Sequence, residues 1–178
     1  MVAGTCVLAP HLYSPDELRR LLAAAGRLPV IWPLRPQVFT TLFGLLASSG
    51  LRVSEALALR FGDVTSDGLV IHKAKFNKSR LVPLHDTAAA ALGRYLALRR
   101  RASTVSDYVF ISPKGGRLPA QTVSKTFLHL MRHAGLRAGP GTPGPRIHDL
   151  RHTFAVRALE ACPHDGRASC RERVSFLV

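Results

Sequence analysis

Carboxylate side chains are scarce in this sequence. Of its 178 residues only 11 are Asp or Glu, whereas 25 are Lys or Arg, so the formal net charge is 25 − 11 = +14. An excess of cations on this scale indicates nucleic acid or another anionic surface as the partner, because cation–phosphate contacts release the counterions that condense on such surfaces.

Long apolar runs are also missing. No stretch approaches the roughly 20 apolar residues that cross a bilayer, and no basic amphipathic helix stands out, so a membrane is the weaker interpretation of the charge. Residues 1–10 lack the charged and apolar regions of a secretory signal. Cys6, Cys162 and Cys170 have neither metal-ligand nor disulfide spacing, which fits a reducing cytosol. We therefore expect a cytoplasmic protein without a metal ion or other cofactor.

The residues that are present predict one mostly α-helical domain. Hydrophobic residues make up 47% of the chain, which allows a sizeable core. Ser14, Pro15 and Glu17 are typical of a helix start, with Ser14 as N-cap and Glu17 closing a capping box. Asp86 is the expected cap of a later helix. Apolar residues at helical spacing predict further helices over residues 38–47, 51–60, 90–101 and 123–134, the last ending at Gly135.

A pair of short β-strands interrupts these helices. Residues 69–72 and 80–84 are strand-like runs, and the connection between them carries Lys73, Lys75 and Lys78. After a predicted loop over residues 63–68, this pattern indicates an antiparallel hairpin or a three-stranded sheet. The lysines have two interpretations: they bind an anion, or they protect an exposed strand from aggregation.

The stretch from Ile147 to Ala155 is the part of the sequence most suggestive of chemistry. His148 and Arg151 stand three residues apart, so on a helix their side chains leave the same face. A guanidinium binds two phosphate oxygens at once, and an imidazole donates a hydrogen bond or moves a proton near neutrality. The alternative is a solvated basic face with an unrelated histidine, and the H-x-x-R pattern alone is too short to decide.

Two further groups of charges have ordinary explanations. Arg52 and Glu55 have the spacing of a helix-surface ion pair, worth about 0.2–0.5 kcal/mol. Arg99, Arg100 and Arg101 fall at a predicted helix C-terminus, where cations are favoured in any case. We assign no specific role to those three arginines.

Three segments, in this order, resemble the catalytic domain of the tyrosine recombinases, which are also called the phage integrase family. The segments are SGLRVSEAL (residues 49–57), KFNKSRLVPL (75–84) and IHDLRHTFA (147–155), and the resemblance covers roughly Tyr13 to Leu159. Each segment is modest alone, but their joint order and spacing are specific. The resemblance implies a mostly α domain with a small antiparallel β-sheet (α+β), the fold of DNA breaking–rejoining enzymes.

The resemblance also implies a site for double-stranded DNA. In the family two arginines, a hairpin lysine and a histidine surround the scissile phosphate, and the matching positions are Arg52, Lys75, His148 and Arg151. Glu55 and His152 would support them, although His152 has an equally good structural interpretation. Lys73, Lys78 and Arg80 would bind DNA, and the two lysines are also rivals of Lys75 for the catalytic role.

The sequence departs from the family in its nucleophile. The family uses a tyrosine some way after the second arginine, whereas the only tyrosines here are Tyr13, Tyr95 and Tyr108, all before Arg151. No Leu-Gly-His element follows either. We therefore expect a C-terminally incomplete catalytic domain over residues 13–160, between an irregular leader (1–12) and an irregular or frame-shifted tail (161–178).

Two functions follow from this pattern. The main hypothesis is a site-specific recombinase domain of a mobile element, which binds DNA, holds the scissile phosphate and is inactive alone. Its further partners would be other recombinase protomers, and it would act at the nucleoid. The alternative is a non-catalytic DNA-binding module or regulator derived from a recombinase. A relative of the type IB topoisomerases would share the chemistry, but the sequences around Arg52 and His148 are more similar to those of integrases.

Overall fold

The computed structural model describes residues 10–74, 78–102, 106–139 and 144–161, with residues 73, 74 and 78 described by their backbone alone. Lys75, the three cysteines, the first nine residues of the predicted leader and the predicted tail from residue 162 lie outside these ranges. The helices are α1 (Pro15–Gly26), α2 (Arg35–Ser49), α3 (Val53–Ala58), α4 (Asp86–Arg101), α5 (Ala120–His133) and α6 (Asp149–Glu160). The strands are β1 (Val64–Thr65), β2 (Gly68–Ala74) and β3 (Lys78–Val82), paired antiparallel in the order β1-β2-β3. The prediction of a mostly α domain with a small antiparallel sheet is confirmed.

Helix α1 begins as its sequence predicts. The Ser14 hydroxyl accepts a hydrogen bond from the Glu17 backbone N–H (3.2 Å), and Glu17 Oε2 accepts one from the Ser14 N–H (2.7 Å). This reciprocal capping box satisfies two of the N–H groups that a helix start leaves without a partner. The local sequence is therefore sufficient to fix where α1 begins.

Helix α2 forms the centre of the core. It packs against α1, α4 and α6, and residues from Phe39 to Ser49 are almost all buried. The Phe39 ring lies 5.9 Å from that of Phe43, which in turn lies 5.5 Å from the Phe127 ring of α5. A helix that is apolar on all sides is buried on all sides, which accounts for the central position of α2.

The turn after α2 brings three helices together. Gly50 ends α2 in the left-handed region (φ 61°), which costs glycine little and other residues about 1–2 kcal/mol. The Phe154 ring of α6 lies directly over the Gly50 Cα, so a Cβ at position 50 would overlap that ring. The turn also directs the chain into α3, which begins three residues later.

Three boundaries differ from the sequence-based expectation. Asp86 is the first residue of α4 and not its cap; the cap is His85, whose side chain accepts a hydrogen bond from the Thr87 N–H (3.3 Å). Helix α3 ends at Ala58, before a 3₁₀ turn that starts at Phe61. Part of the predicted loop over 63–68 is strand β1, because this short strand pairs with the start of β2.

Arg99 is a structural residue. Its side chain is 1% exposed, and its guanidinium donates to the carbonyl oxygens of Ser106 (2.7 Å) and Tyr108 (3.3 Å) and lies 5.4 Å from the Phe61 ring centroid. It therefore ties the end of α4 to the segment that follows. The expectation that Arg99 has no specific role is therefore wrong. The sequence does not reveal this role, because the burial of Arg99 depends on residues outside its own helix.

The search for membrane-spanning segments was negative: within the described ranges, every helix is too short or too polar to cross a bilayer.

We predict that Gly50→Ala strongly destabilises the chain. The alanine would combine an unfavourable positive φ with overlap against Phe154, so the free energy of unfolding should fall by at least about 2 kcal/mol. Gly93→Ala is the control, because a Cβ at position 93 of α4 would meet nothing within 4 Å. This substitution should raise the free energy of unfolding by about 0.5–1 kcal/mol. Urea unfolding measures both values, and equal effects of the two substitutions would contradict the account of the turn.

Candidate functional site

Glu55 lies at the centre of the charged residues around the start of α3. Its Oε1 accepts hydrogen bonds from Arg52 Nη1 (3.1 Å) and Arg80 Nη1 (3.0 Å). Its Oε2 accepts from Arg80 Nη2 (2.9 Å) and from the Arg52 backbone N–H (2.8 Å). The Arg80 contact is bidentate, which is the stronger arrangement for a guanidinium and a carboxylate. Glu55 thus joins the beginning of α3 to strand β3.

This pairing keeps Glu55 ionised. Burial by itself would raise the pKa of Glu55, but the hydrogen bonds from Arg80 and Arg52 outweigh burial and hold the pKa below its usual value. The carboxylate side chain is only 11% exposed. The pair of Arg52 and Glu55 is therefore more than the exposed ion pair that its i,i+3 spacing suggests.

Arg151 approaches the same group from helix α6. Its Nη1 donates a hydrogen bond to the Gly50 carbonyl oxygen, so the Gly50 turn fixes its direction. Burial and the positive charge of Arg52 lower the pKa of Arg151, Glu55 opposes this, and Arg80 adds to it. The guanidinium remains charged at neutral pH. Arg52 and Arg80 both bind Glu55, and Arg151 binds the carbonyl oxygen of the residue two positions before Arg52, so three guanidiniums share one small region.

His148 and His152 lie on either side of Arg151 in the sequence, at the start of α6. His148 precedes the helix but already has helical dihedral angles, and its ring lies 4.9 Å from the His152 ring in an edge-to-face arrangement. Burial, the neighbouring His152 and Arg151 lower the pKa of His148, and Asp149 only partly compensates. His148 is therefore neutral at pH 7 and has one ring nitrogen to donate and one to accept.

Five side chains from three separate segments make up the basic cluster: Arg52, Glu55, Arg80, His148 and Arg151. With His148 neutral, three guanidiniums and one carboxylate give 3 − 1 = +2. Arg52 is half exposed and Arg80 a third exposed, so the surplus charge faces solvent. Such an arrangement can bind an anion with several oxygens, and a phosphate group fits it well.

The predicted lysines can be located only in part. Lys73 lies in β2 and Lys78 begins β3, on either side of the hairpin turn, whereas Lys75 lies outside the described residues. The strand register is irregular between Ile71 and Ala74. Their assignment as the hairpin lysine or as DNA-binding residues therefore stays a prediction.

Most of the predicted site residues do meet in space. The structure brings Arg52, Glu55, His148 and Arg151 into one cluster and places His152 beside His148. Arg80, which the sequence analysis expects to bind DNA, binds Glu55 through two hydrogen bonds; its role in DNA binding stays a prediction. Sequence spacing cannot reveal that contact, because the partners lie 25 residues apart.

Sequence reasoning missed two residues that position the cluster. Asp149 is buried; its carboxylate accepts hydrogen bonds from the Arg146 N–H (2.8 Å) and Nη2 (3.1 Å) and so holds the start of α6. An acidic residue in a first helical turn is a recognisable signal. Arg117 donates to the carbonyl oxygens of Leu57 (3.1 Å) and Ser54 (3.3 Å) and so holds α3. No local pattern predicts this second contact.

Two of the three tyrosines have hydroxyl groups that are hydrogen-bonded away from the basic cluster, and the third lies against an arginine. The hydroxyl groups of Tyr13 and Tyr95 donate to the carbonyl oxygens of Arg146 (3.0 Å) and Val109 (2.8 Å), and burial raises the pKa of both. The Tyr108 ring lies against the Arg60 guanidinium at 4.9 Å. Neither Tyr13 nor Tyr95 therefore offers an ionisable hydroxyl to the basic cluster.

A metal centre has no basis in the described ranges, where no three or more His, Cys, Asp or Glu side chains group as ligands.

Comparison with known proteins supports one family. The model of the phage integrase family matches residues 13–163. The putative integrase/recombinase y4rB of Sinorhizobium fredii is 44% identical over 158 residues, covering 84% of this chain and 50% of the relative. The crystal structure of the XerA recombinase superposes with a TM-score of 0.71 at 28% identity, covering 89% of this chain and 53% of that one. The crystal structure of the XerH site-specific recombinase bound to difH substrate, a pre-cleavage complex, superposes with a TM-score of 0.65 at 28% identity, covering 86% of this chain and 43% of that one.

We predict that Glu55→Gln destabilises the chain in a pH-dependent way. At pH 7 the loss of charged hydrogen bonds should cost about 1–3 kcal/mol of unfolding free energy. Because the folded pKa of Glu55 is lowered, its contribution is present above the ordinary carboxyl pKa and is lost as the pH falls through the folded value. The difference between Glu55→Gln and the parent chain should therefore be constant from pH 7 down to the ordinary carboxyl pKa of 4.5 and shrink as the pH falls further.

Urea titrations at several pH values measure this difference. Asp16→Asn is the control, since the pair of Asp16 and Arg19 is well exposed and should matter by less than about 0.5 kcal/mol throughout. A Glu55→Gln effect that is the same at acid and neutral pH would contradict the assigned electrostatics.

Proposed function

Because this chain belongs to the phage integrase family, the tyrosine recombinases, we propose that its basic cluster binds the scissile phosphate of double-stranded DNA. The observation that carries the proposal is that Arg52 and Arg151 lie close together beside the Glu55 carboxylate, with His148 three residues before Arg151 and a net positive charge facing solvent. The pre-cleavage complex of XerH, to which the chain is similar, supports DNA as the ligand.

Each member of the cluster has a role in this proposal. Arg52 and Arg151 bind the non-bridging phosphate oxygens, where negative charge builds up during attack on phosphorus. Glu55 and Arg80 keep Arg52 in place, and His148 donates a hydrogen bond or moves a proton. The leaving 5′-oxygen needs a proton, which suits a hairpin lysine whose pKa neighbouring cations lower; Lys75 is our first candidate, ahead of Lys73 and Lys78.

The residues of the basic cluster do not supply a nucleophile. The chain spans about half the length of the curated relatives it matches, so the activity of the whole protein is itself a proposal. Strand cleavage needs an oxygen that becomes bonded to phosphorus, and Tyr13 and Tyr95 donate their hydroxyls to backbone groups instead. We therefore propose that neither Tyr13 nor Tyr95 acts as the nucleophile and that these 178 residues do not cleave DNA alone.

A second function fits the same observations. A DNA-binding module or regulator would keep the basic cluster and have no need of a nucleophile. The hydrogen-bonded hydroxyls of Tyr13 and Tyr95 favour it. In either case the proposed domain covers residues 13–160, which the match to residues 13–163 supports, and other recombinase protomers are proposed partners. A location in the cytoplasm, at the nucleoid, stays a prediction.

We predict that Arg151→Ala weakens DNA binding more than removal of a cation elsewhere. One lost phosphate contact should reduce affinity about tenfold and lower the salt dependence, the slope of log K against log salt, by about 1. The control is Arg94→Ala, because Arg94 is exposed on α4, whereas Arg99 is buried and unsuitable. Fluorescence anisotropy with a short duplex measures both, after melting curves have shown that the variants are folded. Equal weakening by both variants would mean that the cluster is only part of a general basic surface.

We also predict that the chain does not become covalently attached to DNA. A nicked suicide substrate traps the phosphotyrosyl intermediate, and a denaturing gel should show no protein–DNA band, although a native gel shows binding. Tyr108→Phe is the informative variant, because Tyr13 and Tyr95 donate their hydroxyl groups to carbonyl oxygens, whereas Tyr108 lies against the Arg60 guanidinium. A covalent band that disappears in Tyr108→Phe would identify a nucleophile within the chain and refute the proposal.

A further inference from the structure

Two long parts of the sequence contain no carboxylate at all. Asp and Glu are absent from residues 18–54 and from residues 108–148. These parts supply most of α1, the α1–α2 connection, α2 and α5, and α1 packs against both α2 and α5. Within the described part of the chain, these segments therefore contribute no acidic side chain that could neutralise their own arginines.

The connection between α1 and α2 exposes two large apolar side chains. Val30 is 73% exposed and Ile31 is 75% exposed. The backbone here is a defined turn, in which the Ile31 N–H donates to the Pro29 carbonyl oxygen (2.9 Å). Arg35 Nη1 donates to that same oxygen (3.1 Å), so a guanidinium lies beside the apolar pair.

The end of α5 carries two neighbouring histidines. His129 and His133 lie one turn apart with ring centroids 4.3 Å from each other. Burial lowers the pKa of His129, and the nearby His133, Arg35 and Arg132 lower it further. Helices α2 and α5 are neighbours, because the rings of Phe43 and Phe127 lie 5.5 Å apart, and Arg35 at the start of α2 is near enough to His129 for its charge to act on the imidazole. The connection and the end of α5 are therefore parts of one surface.

We call this surface the Val30 edge and define it by six residues: Val30, Ile31, Arg35, His129, Arg132 and His133. Neither of its arginines pairs with a carboxylate in the described part of the chain. It also shares no residue with the basic cluster. The edge thus combines two exposed apolar side chains with positive charge that no carboxylate of the described residues neutralises.

The charge decides which occupant fits. A second copy of this chain carries the same large positive excess and would be repelled. A metal ion could use the two imidazoles, but the neighbouring guanidiniums oppose a cation. A nucleic acid would neutralise the arginines yet leave Val30 and Ile31 without an apolar partner, since most protein–DNA hydrogen bonds go to phosphate and sugar.

We propose that the Val30 edge is a docking site for an acidic, amphipathic segment of another protein. Apolar side chains of that segment cover Val30 and Ile31, and its carboxylates pair with Arg35 and Arg132 in charge-assisted hydrogen bonds. The apolar contact provides the centre of the interface and the ion pairs its rim. This site is independent of the phosphate-binding function proposed above and does not require it.

A synthetic peptide tests the proposal on the full chain. The probe is a fluorescein-labelled helical peptide with Leu and Phe along one face and Glu and Asp beside them; the reference peptide has Lys in place of each acidic residue. Fluorescence anisotropy should give a dissociation constant of about 10 μM or lower for the acidic peptide and no saturable binding of the reference.

Matched variants locate the binding. The double variant Val30→Ser/Ile31→Ser and the single variant Arg132→Ala should each weaken binding at least about fivefold. The controls Leu98→Ser and Arg94→Ala remove an exposed apolar residue and an exposed cation from α4 and should change binding less than about twofold. All the substituted side chains are exposed, and melting curves check that the variants remain folded.

Three results would overturn the proposal. The first is the absence of binding by the acidic peptide, and the second is equal weakening by the α4 controls, which would indicate attraction by net charge alone. The third is displacement of the peptide by a DNA duplex whose own binding depends on Arg132, which would make the edge a nucleic-acid surface. The substitution Arg151→Ala, which should weaken DNA binding, should leave peptide binding unchanged. A failure of the phosphate-binding proposal can therefore be distinguished from a failure of the docking proposal.

Discussion

The close contact between α6 and the Gly50 turn is the constraint on which the basic cluster depends. Gly50 has no side chain and a positive φ, so the Phe154 ring can lie on its Cα while its carbonyl oxygen accepts a hydrogen bond from Arg151. The same turn leads directly to Arg52, which caps α3. One glycine thereby brings together two arginines that are 99 positions apart in the sequence.

Glu55 makes the concentration of positive charge tolerable. Three guanidiniums in one small region repel each other, and a single carboxylate that accepts four hydrogen bonds offsets part of that repulsion. The compensation is incomplete, and the remaining charge favours an anionic ligand. The Val30 edge has a surplus of the same sign, but it includes exposed apolar side chains and no carboxylate. The chain therefore has two basic surfaces that differ in the partner they suit.

Local patterns predicted the helices and the hairpin, because these depend on short spacings, whereas only the resemblance to the tyrosine recombinases implied that Arg52, His148 and Arg151 act together. The capping box at Ser14 is a local pattern of this kind, and so are the short segments around Arg52 and Arg151. The contacts of Arg80 with Glu55, Arg117 with the end of α3 and Arg99 with Ser106 were not predicted. Each depends on how distant segments or a helix end pack, which no local period encodes. Asp86 was mistaken for a cap because His85, a less usual capping residue, takes that position.

The titration of His148 tests most directly whether the cluster holds a DNA phosphate. Proton NMR of the free chain should give a pKa below the ordinary histidine value, as burial, His152 and Arg151 require. A bound phosphate would stabilise the imidazolium form, so a saturating DNA duplex should raise the pKa of His148 in the parent chain but not in Arg151→Ala. DNA binding that leaves the pKa of His148 unchanged would contradict the account, because the phosphate would then lie elsewhere.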